Sequence, residues 1–229
     1  MRKGVFTALL LGVALSTSAA AEEPQTATAD ADAVTSIDVK PGDSWVYRIE
    51  NEITGQVTST NTYTVTEMTG GAISVFASID EGGGRETKSG SGQFTSDWGL
   101  LRRGPWRYSK PDQTFGIPLP LKVGAKWKSS FDANRSGPNE GFHGVVTSTA
   151  VDREKLTVPN GDSYNAFQIR SEETIKPLNG ASKIATKVTL WYDPAVNRYV
   201  ERDTETRADG LLTHKDKEYL ISYSRKTDG

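Results

Sequence analysis

The chain has 229 residues, 35% of them hydrophobic and 24% charged, with 27 basic residues against 29 acidic ones for a formal net charge of −2. That mild acidic balance argues against a globally basic nucleic-acid binder. The lack of any cysteine excludes disulfide stapling, thiol catalysis and thiolate metal sites. Stability must come from a core, and a mean hydropathy of −0.51 suits antiparallel sheets with one wet face better than buried parallel strands.

Residues 1–21 read as a secretory signal peptide. Arg2 and Lys3 give the positive start, residues 5–15 the apolar core, and Ala19 and Ala21 the small-residue cleavage pattern, with the cut expected after Ala21. The apolar run is shorter than the ~20 residues that span a bilayer. No cysteine follows it, so lipid attachment at a cysteine is not expected, and no later segment is apolar enough to cross a membrane. Without these 21 residues the chain carries 25 basic and 29 acidic side chains, a net charge of −4. Residues 22–38 open on a stretch rich in Ala, Thr and Asp without apolar period and read as a disordered leader, in which Asp30 and Asp32 are solvated rather than metal ligands.

From residue 39 onward strand signals dominate. Residues 44–50 alternate, with Trp45, Tyr47 and Ile49 on one face. Residues 57–68 alternate again, with Thr58, Thr60, Thr62, Thr64 and Thr66 on a face that reads as solvent-facing. Thr69-Gly70-Gly71 turns the chain into Ile73, Val75, Ala77 and Ile79, and Gly82-Gly83-Gly84 marks the next turn. Residues 85–89 and 93–96 read as two short strands separated by Gly90-Ser91-Gly92. Residues 98–120 hold Pro105, Pro111, Pro118 and Pro120 and read as loop or edge. Strands resume at 125–132, 142–152, 166–176, 184–193, 198–208 and 214–226. No window keeps a helical period. The fold expected is all-β: a single antiparallel domain over residues 39–229, a curved half-open sheet or a barrel of about ten or more strands, because a sheet of that size curls or closes.

An internal echo suggests two related halves, 40–117 and 118–229. Lys40-Pro41-Gly42-Asp43-Ser44-Trp45 and Lys122-Val123-Gly124-Ala125-Lys126-Trp127 share the spacing K-x-G-x-x-W. Val57 and Val146 each open Val-Thr-Ser-Thr, and Trp98 is matched to Trp191.

Gly42-Asp43-Ser44-Trp45-Val46-Tyr47, then Pro120-Leu121-Lys122-Val123-Gly124 with Trp127, then Val158-Pro159-Asn160-Gly161, Ala166-Phe167-Gln168-Ile169 and Trp191-Tyr192-Asp193-Pro194 occur in order. In this the chain resembles a group of uncharacterised secreted proteobacterial proteins classed as domains of unknown function. The resemblance covers most of residues 40–205 and implies export, but no activity and no site residues.

Candidate chemistry is sparse. There is no G-x-S-x-G elbow, and His143 and His214 are isolated histidines of the kind that is as a rule structural or solvated. The run from Asp132 through Asn134, Ser136 and Gly137 resembles the first half of a calcium loop, but its twelfth position is His143 rather than a bidentate Glu, so no metal is expected there. Glu172-Glu173 and the series Glu201, Asp203, Glu205 supply carboxylates, and a glycosidase needs two of them ~5–10 Å apart across a cleft. The most distinctive stretch runs from Trp98 to Lys110: Trp98, Trp106 and Tyr108 interleave with Arg102, Arg103, Arg107 and Lys110, with no acid among them. Such a stretch can stack on sugars or clamp anionic head groups. It can equally cover the end of a core while its arginines sit in water.

These features point to an exported, periplasmic or extracellular, non-catalytic envelope protein. It would bind an amphipathic or anionic ligand (lipid or glycan) or a protein partner, with no cofactor and no nucleic acid, through Trp98, Arg102, Arg103, Trp106, Arg107, Tyr108 and Lys110. A carboxylate-dependent hydrolase and a purely structural interaction module are the alternatives.

Overall fold

The computed structural model describes residues 33–109, 116–135, 141–178, 180 and 182–226. Twelve strands follow one another: β1 (Ser44–Asn51), β2 (Gln56–Thr69), β3 (Ala72–Asp80), β4 (Lys88–Thr95), β5 (Leu100–Arg103), β6 (Trp106–Ser109), β7 (Lys126–Asn134), β8 (Gly141–Thr157), β9 (Ser163–Pro177), β10 (Ile184–Asp193), β11 (Arg198–Ala208) and β12 (Leu211–Ser224). Each pairs antiparallel with its neighbours in sequence, and β1 also pairs with β12, from Ser44 opposite Ser224 to Asn51 opposite Asp216. The sheet therefore closes into one up-and-down barrel. The half-open alternative is ruled out.

Alternation of side chains builds the wall. On β1, Trp45, Tyr47 and Ile49 are buried inside while Arg48 is exposed. On β2, Asn61 and Val65 are buried and the threonines lie on the other, more exposed face. Bulges at Val46/Tyr47, Val65/Glu67, Ala150/Asp152 and Trp191/Tyr192 interrupt the ladders. Each adds local twist and bend, the device by which long strands are curled into closure.

Several local expectations are corrected. Residues 85–89 and 93–96 are not two strands; Gly90, Ser91 and Gly92 lie within β4, which runs through them. Residues 98–120 are not simply loop or edge, since they contain the β5–β6 hairpin, hydrogen-bonded to β4 on one side and β7 on the other. Pro105 is compatible with this because it sits in the Gly104-Pro105 tip, where no ladder donor is needed. The last residues of the stretch read as a leader are ordered: Val34 is buried and exchanges two backbone hydrogen bonds with Leu121, at 2.9 and 2.8 Å. Residues 1–21 and 22–32 of the signal-peptide and leader assignments lie outside the described residues.

The K-x-G-x-x-W echo has a geometric counterpart. Gly42 and Gly124 adopt φ of 96° and 85°, a conformation that strains any residue with a Cβ. The Gly42 N–H donates to Val65 O and the Gly124 N–H to Ala150 O, at 2.7 and 2.8 Å. Asp43 N–H donates to Lys40 O as Ala125 N–H does to Lys122 O, at 3.0 and 3.1 Å. Trp45 and Trp127 then occupy the second positions of β1 and β7 and both project inward. The other two matches do not share this register. Tyr47 faces Asn61 and Ser129 faces Val146, so Val146 corresponds to Asn61 and not to Val57. Trp98 lies in the β4–β5 connection while Trp191 lies within β10.

Successive turns alternate between the two ends of the barrel. The end where β1 begins and β12 finishes is packed shut: Val34, Val39, Ile117, Leu121, Phe167 and Tyr192 are buried there or beside it, and the 33–39 segment bonds Leu121 and Asn197 there.

Candidate functional site

Above that plug the barrel encloses a cavity of about 610 Å³, within the range of sites for small organic ligands. It runs from Trp98 and Ile117 at the packed end to Gly104 and Pro105 at the tip of the β5–β6 hairpin, so it opens at the opposite end. Its wall is largely apolar, with Val75, Ile79, Trp127, Val146, Ile169 and Leu190 among its residues, and three arginines also line it: Arg103, Arg198 and Arg202. Among the described lining residues there is no carboxylate.

Arg198 is the unusual one. It opens β11 just after the β10–β11 turn, and only 7% of it is exposed. Its guanidinium carbon lies 4.7 Å from the Tyr63 ring centroid, 4.8 Å from Trp98, 5.2 Å from Trp45, 5.4 Å from Tyr199 and 5.9 Å from Tyr47. The rings also fix the backbone on both sides of it. Trp45 Nε1–H donates to Val196 O at 3.0 Å, Trp98 Nε1–H to Asn197 O at 2.9 Å, and the Tyr47 hydroxyl to Tyr199 O at 2.7 Å. Trp98 and Asn197 take φ of 67° and 56° where they meet, a left-handed conformation that asparagine tolerates but that costs a tryptophan free energy unless the surroundings impose it. An arginine is charged at any accessible pH, yet among the described residues this one makes no salt bridge, and its buried Nε and Nη1 have no hydrogen-bond acceptor.

Arg202, four residues further along β11, is only partly balanced. Its Nη2 lies 2.6 Å from the Glu218 carboxylate, which also accepts the Tyr199 hydroxyl at 2.8 Å, while its buried Nε has no partner. The Tyr192 hydroxyl is likewise buried without a partner, and burial pushes its pKa up, so it stays a protonated donor. Ser148 on β8 and Ser171 on β9 bond each other at 2.8 Å. The polar groups left over at the deep end of the cavity are thus mostly donors, and donors without acceptors call for an anion.

The stretch singled out in the sequence divides across this site. Trp98, Arg103 and Trp106 line the cavity. Arg102 and Arg107 do not; they oppose each other on the outer face of the β5–β6 hairpin. Tyr108 points inward but packs against Phe131 and Phe142, at 5.6 and 6.3 Å between centroids, rather than on the cavity. Lys110 lies outside the described residues. Arg198, Arg202, Tyr192 and Tyr63 were missed, although Arg198 and Arg202 share an alternation face with the buried Val200, a pattern that marks inward-pointing charge.

The other candidates resolve locally. Glu201 and Asp203 share Lys217, at 3.2 and 3.6 Å, and Glu205 holds Arg207 at 2.8 Å; none of the three lines the cavity. Asp132 is engaged by His143 at 2.9 Å and His214 by Asp216 at 2.8 Å, while Ser136 and Gly137 lie outside the described residues. Glu173 points inward from β9 beside Val146, and burial raises its pKa above the ordinary carboxylate range.

No protein-family model matches the sequence, and no curated protein matches it. Solved structures do resemble it. A candidate lipoprotein from Parabacteroides distasonis is 12% identical with a TM-score of 0.55, over 83% of this chain and 99% of that one. A candidate exported protein with a YmcC-like fold from Bacteroides fragilis is 13% identical with a TM-score of 0.53, again over 83% of this chain and 99% of that one. At these identities the likeness is one of fold: the chain shares the all-β barrel architecture of these structures.

Proposed function

We propose that this barrel is an exported, non-catalytic binding protein whose interior holds a single-chain amphipathic anion. The acidic head group sits at Arg198 and Arg202, and the apolar tail runs along Val75, Val146, Ile169 and Leu190 toward the mouth. The observation that carries the reading is Arg198. A charged, nearly fully buried guanidinium with two undonated N–H groups costs stability unless something compensates it, and the missing acceptor fits a ligand's anionic group. The cage of rings supports the same reading, because it holds the cation in place before the ligand arrives and lowers the cost of ordering. The absence of carboxylates among the described lining residues favours binding over glycosidase-type hydrolysis, which needs an acid pair across the cleft.

Export is supported by the signal-peptide pattern of residues 1–21 and accords with the descriptions of the two structural neighbours. N-terminal sequencing of the secreted product should begin at Glu22; retention of residues 1–21 would remove the export reading.

Binding is tested by titrating the protein with dodecanoate and with dodecyltrimethylammonium, two amphiphiles of equal tail length and opposite charge. The readout is the intrinsic fluorescence of the cavity tryptophans Trp98, Trp106 and Trp127. Saturable binding of the carboxylate alone is expected. Equal binding of both, or of neither, would refute the assignment of the head group to the arginines.

A further inference from the structure

We infer that the β5–β6 hairpin is a docking element for a lipid bilayer that carries anionic head groups, and that the cavity ligand enters over it. This rests on the reading of the cavity as a lipid-anion site. The hairpin is the lip of the mouth, since Gly104 and Pro105 at its tip line the cavity.

Its two faces carry cations. Inward, Arg103 and Trp106 oppose each other across the hairpin and face the cavity. Outward, Arg102 and Arg107 oppose each other. The same outer row continues to Gln93 on β4 and Asn134 on β7, so no acid stands beside the pair in the ladder. Like charges directly opposite on a sheet repel, and the fold does nothing visible to relieve this pair. Among the described residues, Arg102 Nε–H donates to Gly104 O, at 3.3 Å, and none of Arg102, Arg103 and Arg107 forms an ion pair. From Trp98 to Ser109 there is no acidic residue, on a chain with more acidic than basic side chains overall.

The charge complement of three exposed arginines beside a tryptophan and a proline tip is an anionic surface with an apolar layer beneath it. A bilayer supplies both, and it is where a poorly soluble amphipathic ligand resides. Docking the lip on head groups brings the mouth to the ligand's source.

The test is flotation with vesicles of phosphatidylcholine alone and of phosphatidylcholine with phosphatidylglycerol in equal parts, at low and high salt and without added ligand. The wild-type protein should float with the anionic vesicles at low salt and lose most of that association at high salt. Arg102→Gln with Arg107→Gln should weaken partitioning by about 30-fold, from about one kcal/mol for each basic residue at an anionic surface. Both side chains are exposed, so the fold should survive. Arg102→Glu alone, which replaces the repulsion by a cross-strand pair with Arg107, should fold at least as well and also lose the vesicles.

Unchanged flotation of the double variant would overturn the proposal. Equal association with neutral vesicles would do the same, as would equal retention on a soluble anionic polysaccharide such as alginate. Dodecanoate binding in vesicle-free solution, which depends on Arg198, is read separately, so a failed cavity and a failed lip give different results.

Discussion

Replacing Arg198 by Met separates a functional arginine from a structural one, because the two roles predict opposite changes in stability. If the guanidinium is there for a ligand, the ligand-free protein carries it at a cost. Two buried N–H groups without acceptors cost about 1–3 kcal/mol each, so relieving Nε and Nη1 of Arg198 should return about 2–6 kcal/mol. Against this stands the attraction of five rings within 6 Å. They share one cation, and the total is about 2 kcal/mol when desolvated. Methionine keeps a flexible apolar stem in the same place. The balance is a gain of about 2 kcal/mol, or a rise in Tm of about 4–8 °C for a domain of this size. Thermal unfolding by circular dichroism on delipidated wild type and Arg198→Met reads it. A loss of more than about 1 kcal/mol in the variant would mean that the ring cage needs the cation, and that Arg198 is part of the core rather than of a ligand site.

Three other changes test the packing and electrostatics. Asp43 is fully buried and accepts from the backbone N–H of Lys40 and of Lys226, at 2.9 and 2.6 Å, with Arg225 Nε at 3.4 Å; Asp43→Ala orphans these donors and should cost about 3 kcal/mol in denaturant titration. Gly144 lies under the Phe131 ring, where an added Cβ would come within 2.2 Å of ring atoms, so Gly144→Ala should destabilise by about 1–3 kcal/mol, and a neutral result would show that the ring shifts freely. Burial raises the Glu173 pKa above its unfolded value, so the folded state holds this proton more tightly. The stability this contributes is complete below the unfolded pKa and is lost as pH rises through the folded one. Glu173→Gln should therefore melt above wild type at pH near 8 and lose that advantage at pH near 4; an advantage that does not change with pH would contradict the burial of the carboxyl.

The strands were legible because their faces differ chemically. Trp45, Tyr47 and Ile49 alternate with polar residues on β1, and the Gly-rich and Asn-Gly turns punctuate the rest, so most strand boundaries fall within a few residues of those read from sequence. Closure was not legible, since the pairing of Ser44 with Ser224 joins the two ends of the chain and no local pattern reports it. The β5–β6 hairpin was hidden by proline: Pro105 reads as a strand breaker until the tip is seen to need no donor there.

Half of the site was visible for a compositional reason. Trp98, Arg103 and Trp106 stand in an aromatic and basic stretch that contrasts with its surroundings. Arg198 has no such contrast, because its five rings come from β1, β2, the β4–β5 connection and β11, and only the barrel brings them together. The bulge at Trp191/Tyr192 compounds this, since it brings Tyr199 and Arg202, three apart in sequence and expected on opposite faces, onto one face, where both line the cavity.

The most direct test of the central claim is native mass spectrometry of the protein purified without detergent from the compartment to which it is exported, beside Arg198→Met. The expected result is a wild-type population carrying one single-chain anionic lipid, released on denaturation and identified in negative-ion mode, and a variant that folds but is empty. A wild-type protein that is empty and does not take up dodecanoate, or an Arg198→Met variant that keeps the same adduct, would contradict it.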